Sequence, residues 1–157
     1  MLAKDDFKHL IQNAPLFAID LVVVNEQNQI LLGQRKNAPA KGYWFVPGGR
    51  VYKNESLEQA VQRISHTELG CEIQRQDLQL LGLFDHFYND SFFDSQTSTH
   101  YINATHSIHL SADALNLPVE QHQAYRWMSL EDIEQDQSIH TFSKVFLNNL
   151  KQRIQYD

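Results

Sequence analysis

The alternation of apolar and polar positions lays out most of the chain before any motif is considered. In "KDDFKHLIQNA", Phe7, Leu10 and Ile11 share one face of a short helix that stops before Pro15. "LFAIDLVVV" and "QILLGQRK" read as two strands joined by the turn-rich "NEQN". "GYWFVPGG" then leads through a Pro-Gly-Gly turn into a long amphipathic helix, where Leu57, Ala60, Val61 and Ile64 recur at helical spacing. Asn54 is placed to cap that helix, and Glu55 and Glu58 suit the positive end of its dipole. "LQLLGLFDHFY" and "STHYINATHSIHL" are two further strands around the polar loop "NDSFFDSQT". "YRWMSL" is a short strand, and "LEDIEQD" a turn of helix. "HTFSKVFLNNLKQRI" is an amphipathic C-terminal helix presenting Phe142, Val145, Phe146, Leu150 and Ile154. Strands, one helix, more strands and a last helix predict an α+β sandwich; the regular βαβ alternation of a dinucleotide-binding fold is absent.

Composition narrows the classes of function. At 157 residues the chain fits a single domain, 1–157, that can bury its own core. A net charge of −6 argues against a nucleic-acid coat, which needs basic clusters to neutralise phosphates. It leaves room for one phosphorylated small molecule held by a few local arginines. No stretch approaches the ~20 apolar residues of a membrane span. "MLAKDDFKHL" is charged where a signal peptide is apolar, so a cytoplasmic setting is expected. The lone Cys71 reads as a core residue. The eight histidines form no tight ligand set, and zinc is not expected.

The chemistry concentrates around the long helix. Glu68 lies four residues beyond Ile64 and so points inward with the apolar stripe. An inward carboxylate must be paired, hydrogen-bonded or bound to a cation. Its plain reading is an ion pair with Arg63. The Gly-Gly turn before the same helix favours a metal, because the Gly49 carbonyl is an oxygen ligand suited to Mg²⁺. Arg35 ends the second strand and Arg50 follows the turn, so both can reach one diphosphate with forked donors. Asp20 shares a strand face with Ala18 and Val22, a face expected to look into a cleft. His122 carries an imidazole that can take a proton from water near neutrality.

"GGRVYKNESLEQAVQRISHTELGC" resembles the Nudix box: Gly49, Glu55, Arg63, Glu68, Gly70 and Cys71 fall in register. Ile64, Ser65 and Thr67 depart from it, removing two of the three glutamates of its second half. "LLGQRKNAPAKGYWFVPGGRV", "DHFYND", "THY" and "EQHQAYRW" are similar to the GDP-mannose mannosyl hydrolase branch, which lacks the same two acids. The resemblance runs from about Asp6 to beyond Trp127.

It implies a Nudix-type α/β/α sandwich with a mixed sheet, a homodimer, and Mg²⁺ (Mn²⁺ as an alternative) held by Gly49, Glu68 and Gln121. The implied reaction is hydrolysis of GDP-mannose, or GDP-glucose, to GDP and free sugar by inverting attack of water at the anomeric carbon. His122 aligns with the general base and Tyr101 with a tyrosine near the pyrophosphate. Asp20 would meet sugar hydroxyls, with His86 as its companion and Tyr88 nearby. Leu2 and Phe7 are candidates for the guanine site. Attack at such a carbon passes through an oxocarbenium-like state and releases an anionic diphosphate, so one metal and a few arginines can suffice. The rivals are a pyrophosphatase attacking phosphorus and a non-catalytic nucleotide-binding domain.

Overall fold

The computed structural model describes residues 2–119 and 122–154, with only the backbone of His122 and Gln123. Helix α1 (Lys4–Asn13) precedes strands β1 (Leu16–Val24), β2 (Ile30–Arg35), β3 (Trp44–Phe45) and β4 (Gly48–Arg50). Helix α2 (Leu57–Leu69) leads to β5 (Gln79–Tyr88), β6 (Thr99–His109) and β7 (His122–Met128), and the chain closes with α3 (Leu130–Gln135) and α4 (Leu147–Ile154). The strands form one mixed sheet in the order β3-β2-β1-β6-β5, with β4 on β1 and β7 on β2. Among the described strands β1 and β6 pair in parallel, in unbroken register from Leu16↔Tyr101 to Val24↔His109, and the other strand pairs are antiparallel. The sequence expectation of an α+β sandwich around a mixed sheet holds.

Strand β1 explains how one sheet builds two cores and a cavity. Its odd residues Ile19, Leu21 and Val23 pack with Ala60, Val61, Ile64 and Leu69 of α2. Its even residues Val22 and Val24 pack on the other face with Ile133 of α3 and Leu147 and Leu150 of α4. Each such fully buried aliphatic side chain contributes about 1.5–3 kcal/mol. Ala18 and Asp20 continue the even row beyond that second core, and there the row lines a cavity instead. On its other edge β1 meets β2 only at Val24↔Ile30 and takes β4 as partner at Ala18–Asp20. Because β1 exchanges neighbours, β4 is brought beside Asp20, and Glu68 in the last turn of α2 acts on the same carboxyl.

Three local expectations are corrected. Helix α2 is capped by Ser56, whose Oγ accepts from Gln59 N (3.1 Å) while Gln59 Oε1 accepts from Ser56 N (2.9 Å). This reciprocal capping box starts the helix beyond Asn54, which sits in the preceding loop at φ +66°. Leu57, at the first turn, is therefore 39% exposed and outside the buried stripe. The C-terminal helix begins only at Leu147: Thr141–Ser143 is a 3₁₀ turn, and Ser143 Oγ accepts from Val46 N (3.1 Å). That bond satisfies the sheet at the expense of a longer helix and leaves Val145 42% exposed. The far end of α2 stops at Gly70 in the left-handed conformation (φ +64°), where a Cβ would lie 1.9 Å from the Asn116 carbonyl oxygen.

Candidate active site

The cavity, about 200 Å³, is walled by β1, the β3–β4 turn, α2, β5 and β6. Asp20, Arg35, Gly49, Arg50, Glu68, His86, Tyr88 and Tyr101 all line it, together with Asn37, Phe45, Val46 and Asn103. Leu2 is 50% exposed and does not line it, and Phe7 stands behind Arg50 at its rim. Gln121 lies outside the described residues. The backbone of His122 pairs with Arg35 at the start of β7, and its side chain is outside what is described.

Glu68 enters the cavity as the one buried carboxylate of α2. The neighbouring box positions have been turned to other uses. Ile64 packs in the α2 core, and a Cβ on Gly49 would touch its Cγ1 at 3.0 Å. Buried Ser65 donates to Gln62 O and accepts from Ile73 N, both at 3.1 Å, tying the helix to the chain that follows it. Thr67 faces out. The expected structural partner of Glu68, Arg63, is engaged elsewhere: its Nε and Nη2 donate to Glu55 at 2.6 and 2.8 Å, and Nη2 also donates to the Arg50 carbonyl at 2.7 Å.

Asp20 keeps part of its surface open to the cavity, but the dense wall around its carboxyl raises it to about 7. A hydrogen bond from Asn103 and the charge of Arg35 oppose that rise, and Glu68 adds to it. Asn103 is oriented by Thr105, whose hydroxyl donates to its Oδ1 at 2.8 Å, leaving the amide N–H for Asp20. Gly48 completes this corner, since a Cβ there would lie 2.2 Å from Asp20 Oδ1 and 2.6 Å from the Ile19 carbonyl.

Two arginines face the acids. Arg35 stands over the Phe45 ring at 5.1 Å, just past an irregularity in the β2–β7 pairing. Arg50 lies over Phe7 at 4.2 Å. Neither makes an ion pair among the described residues. Burial raises the Tyr101 phenol, and both arginines counter that rise, so their fields converge on it. Burial also raises Tyr88, which meets Tyr101 edge-on at 6.4 Å.

His86 is 4% exposed and stacks on Phe142 with centroids 4.4 Å apart and planes 2° from parallel. Burial, then the neighbouring His140, lowers it to about 4, so it is neutral near pH 7. Its Nε2 finds no hydrogen-bond partner among the described residues. A buried nitrogen of this kind, on a cavity wall, is suited to a polar group of a ligand.

Asn103 and Phe45 also form the site, with His140 and Phe142 packed behind Phe45 and His86, although none of them is a sequence candidate. For Asn103 a signal existed: Asn103, Thr105 and Ser107 form a buried polar row at every second position of β6. Glu68 and Gly49 both line the cavity, and a carboxylate and a backbone carbonyl are oxygen donors that suit a hard cation such as Mg²⁺, which keeps part of its shell for water and substrate. Among the described residues no group of three His, Cys, Asp or Glu side chains forms a self-sufficient metal cage.

Residues 15–150 match the NUDIX domain family. The low-salt glycan biosynthesis protein Agl8 of Haloferax volcanii is 39% identical over 119 residues, 76% of this chain and 74% of that protein. A MutT NUDIX hydrolase from Burkholderia pseudomallei superposes with a TM-score of 0.70 at 28% identity, over 87% of this chain and 98% of its own. The NUDIX domain of Shewanella oneidensis NrtR, solved with ADP ribose, shares the fold at 20% identity, with a TM-score of 0.69 over 98% and 99% of the two chains. With the box on its loop and helix and the cavity beside it, the chain belongs to the Nudix hydrolase family.

Proposed function

We propose that this Nudix hydrolase cleaves GDP-mannose, or the related GDP-glucose, to GDP and free sugar by inverting attack of water at the anomeric carbon. The observation that carries this reading is the single carboxylate that α2 offers the cavity, set opposite two arginines without ion-pair partners among the described residues. A site attacking phosphorus brings a nucleophile against a dense negative centre and gains from several metals. Here the two box positions that would supply further acids are Ile64, which serves the core, and Thr67, which faces out. Departure of a diphosphate from carbon needs chiefly a cationic seat for the leaving group, and Arg35 and Arg50 suit that role. A Mg²⁺ held by Glu68, the Gly49 carbonyl and Gln121 would add charge neutralisation at the same diphosphate.

The remaining roles follow from protonation and position. Asp20, titrating near 7, and neutral His86 offer a donor and acceptor pair to sugar hydroxyls, with Asn103 holding Asp20 in place. Tyr101, which lines the cavity within the field of both arginines, suits a pyrophosphate oxygen. His122, at the start of β7 opposite Arg35, is the base that takes the proton of the attacking water. The glycan-biosynthesis role in the name of the Haloferax volcanii relative supports a sugar substrate. We take the active form to be a homodimer of single-domain chains. Hydrolysis in ¹⁸O-labelled water tests the reaction: label in the released sugar is expected, and label in a phosphate would overturn carbon attack in favour of a pyrophosphatase.

A further inference from the structure

The Arg50 side of the cavity is built as a ladder of cations and rings. The Arg50 guanidinium lies 4.2 Å from the centroid of Phe7 and 5.0 Å from that of Tyr52. The Arg63 guanidinium lies 3.9 Å from the same Tyr52 ring. Both ends are anchored. Glu55 accepts from Tyr52 N at 2.9 Å as well as from Arg63, which fixes the loop carrying Tyr52 to α2. At the other end Phe93 meets the Phe7 ring at 5.5 Å and 65°, and Lys8 pairs with Asp94 at 2.8 Å, which ties α1 to the β5–β6 loop. Asp94 is itself held by the Gln96 and Thr97 N–H groups.

We propose that Tyr52 and Phe7 are positioning residues that hold the Arg50 guanidinium toward the cavity for the anionic diphosphate; this rests on the reading of Arg50 given above. A long arginine loses rotamer freedom when it grips an anion, and a guanidinium already held against rings loses less. Helix α1 then serves the site through Arg50. Phe7, a guanine-stacking candidate by resemblance, has its ring engaged by Arg50 and Phe93 instead. Tyr52 occupies an unspecified position between Gly49 and Glu55 of the box and carries no signal in the sequence, because only the loop fold brings it to Arg50.

The test uses GDP with Mg²⁺ as the probe. Calorimetric titration of Tyr52→Leu and Phe7→Leu is expected to show about three- to tenfold weaker binding than wild type, with Tyr52→Phe restoring it. In an Arg50→Ala background the same substitutions should change nothing, because the interaction they support is gone. NMR of the arginine Nε–Hε groups supplies a readout independent of binding. The Arg50 signal, shifted by the ring currents of Phe7 and Tyr52, should move in either leucine variant. Equal weakening in both backgrounds, or an Arg50 signal indifferent to both rings, overturns the inference. An Arg50 signal that responds, alongside an Arg50→Ala variant that binds GDP like wild type, overturns the diphosphate reading and leaves no function for the clamp.

Discussion

Lowering the pH from 7 to 5 pulls two buried groups of this cavity in opposite directions. Asp20 is raised from 3.8 to about 7 by burial, so the folded chain keeps a proton that the unfolded chain has released. Its stabilising contribution is complete below pH 3.8 and lost as the pH rises through about 7. His86 is lowered from 6.5 to about 4, again chiefly by burial; its contribution is complete above pH 6.5 and lost as the pH falls through about 4. Integrated from pH 7 to 5, proton linkage gives a gain of about 2 kcal/mol from Asp20 and a loss of about 2 kcal/mol from His86. The pair nearly cancels, and substitution separates it. Asp20→Asn should lose about 2 kcal/mol more than wild type on acidification, and His86→Phe, which keeps a ring against Phe142, should lose about 2 kcal/mol less. Urea unfolding at both pH values in EDTA measures this without a contribution from bound cations. Because each variant is compared with wild type, the other lowered histidines, His106 and His140, drop out. Variants whose pH dependence runs parallel to wild type would refute the assignment of both groups.

Three further outcomes are expected. Gly48→Ala puts a methyl group 2.2 Å from Asp20 Oδ1 and should cost about 1–3 kcal/mol while displacing that carboxyl; thermal unfolding and a crystal structure check both. Ile64→Glu, which restores a box acid, exchanges a 1% exposed core residue for a carboxylate. It should lose at least about 3 kcal/mol in urea unfolding without gaining phosphorus attack in the ¹⁸O assay. His122→Ala should lower kcat by about 10²–10⁴-fold while calorimetry finds GDP affinity little changed; near-full turnover would remove His122 from the role of base.

What the sequence disclosed depended on how local the physics was. The inward direction of Glu68 follows from helical period alone, and Asp20 beside Ala18 follows from strand alternation alone; both line the cavity. Asn54 has the residue type of a cap, but the reciprocal Ser56–Gln59 bonds decide where the helix starts, and their signature is present in "SLEQ". The single C-terminal helix failed for a non-local reason: Ser143 answers an N–H on Val46, ninety-seven residues away. Asn103 and Tyr52 were out of reach for the same kind of reason. One needs the parallel β1–β6 register, and the other needs the Glu55–Arg63 anchor.

The missing acids divide along this line as well. Sequence alone records that two glutamates are absent, which suits either a decayed site or a changed reaction. The fold adds what stands in their place. At the first of the two positions Ile64 lies within the α2 core against Gly49; at the second Thr67 faces out and does not line the cavity. Position 64 is thus filled by core packing. An acid at position 64 would now work against the packing of α2 on Gly49. Core packing at position 64 therefore disfavours an acid there, which supports the proposed change of reaction over simple decay of the box.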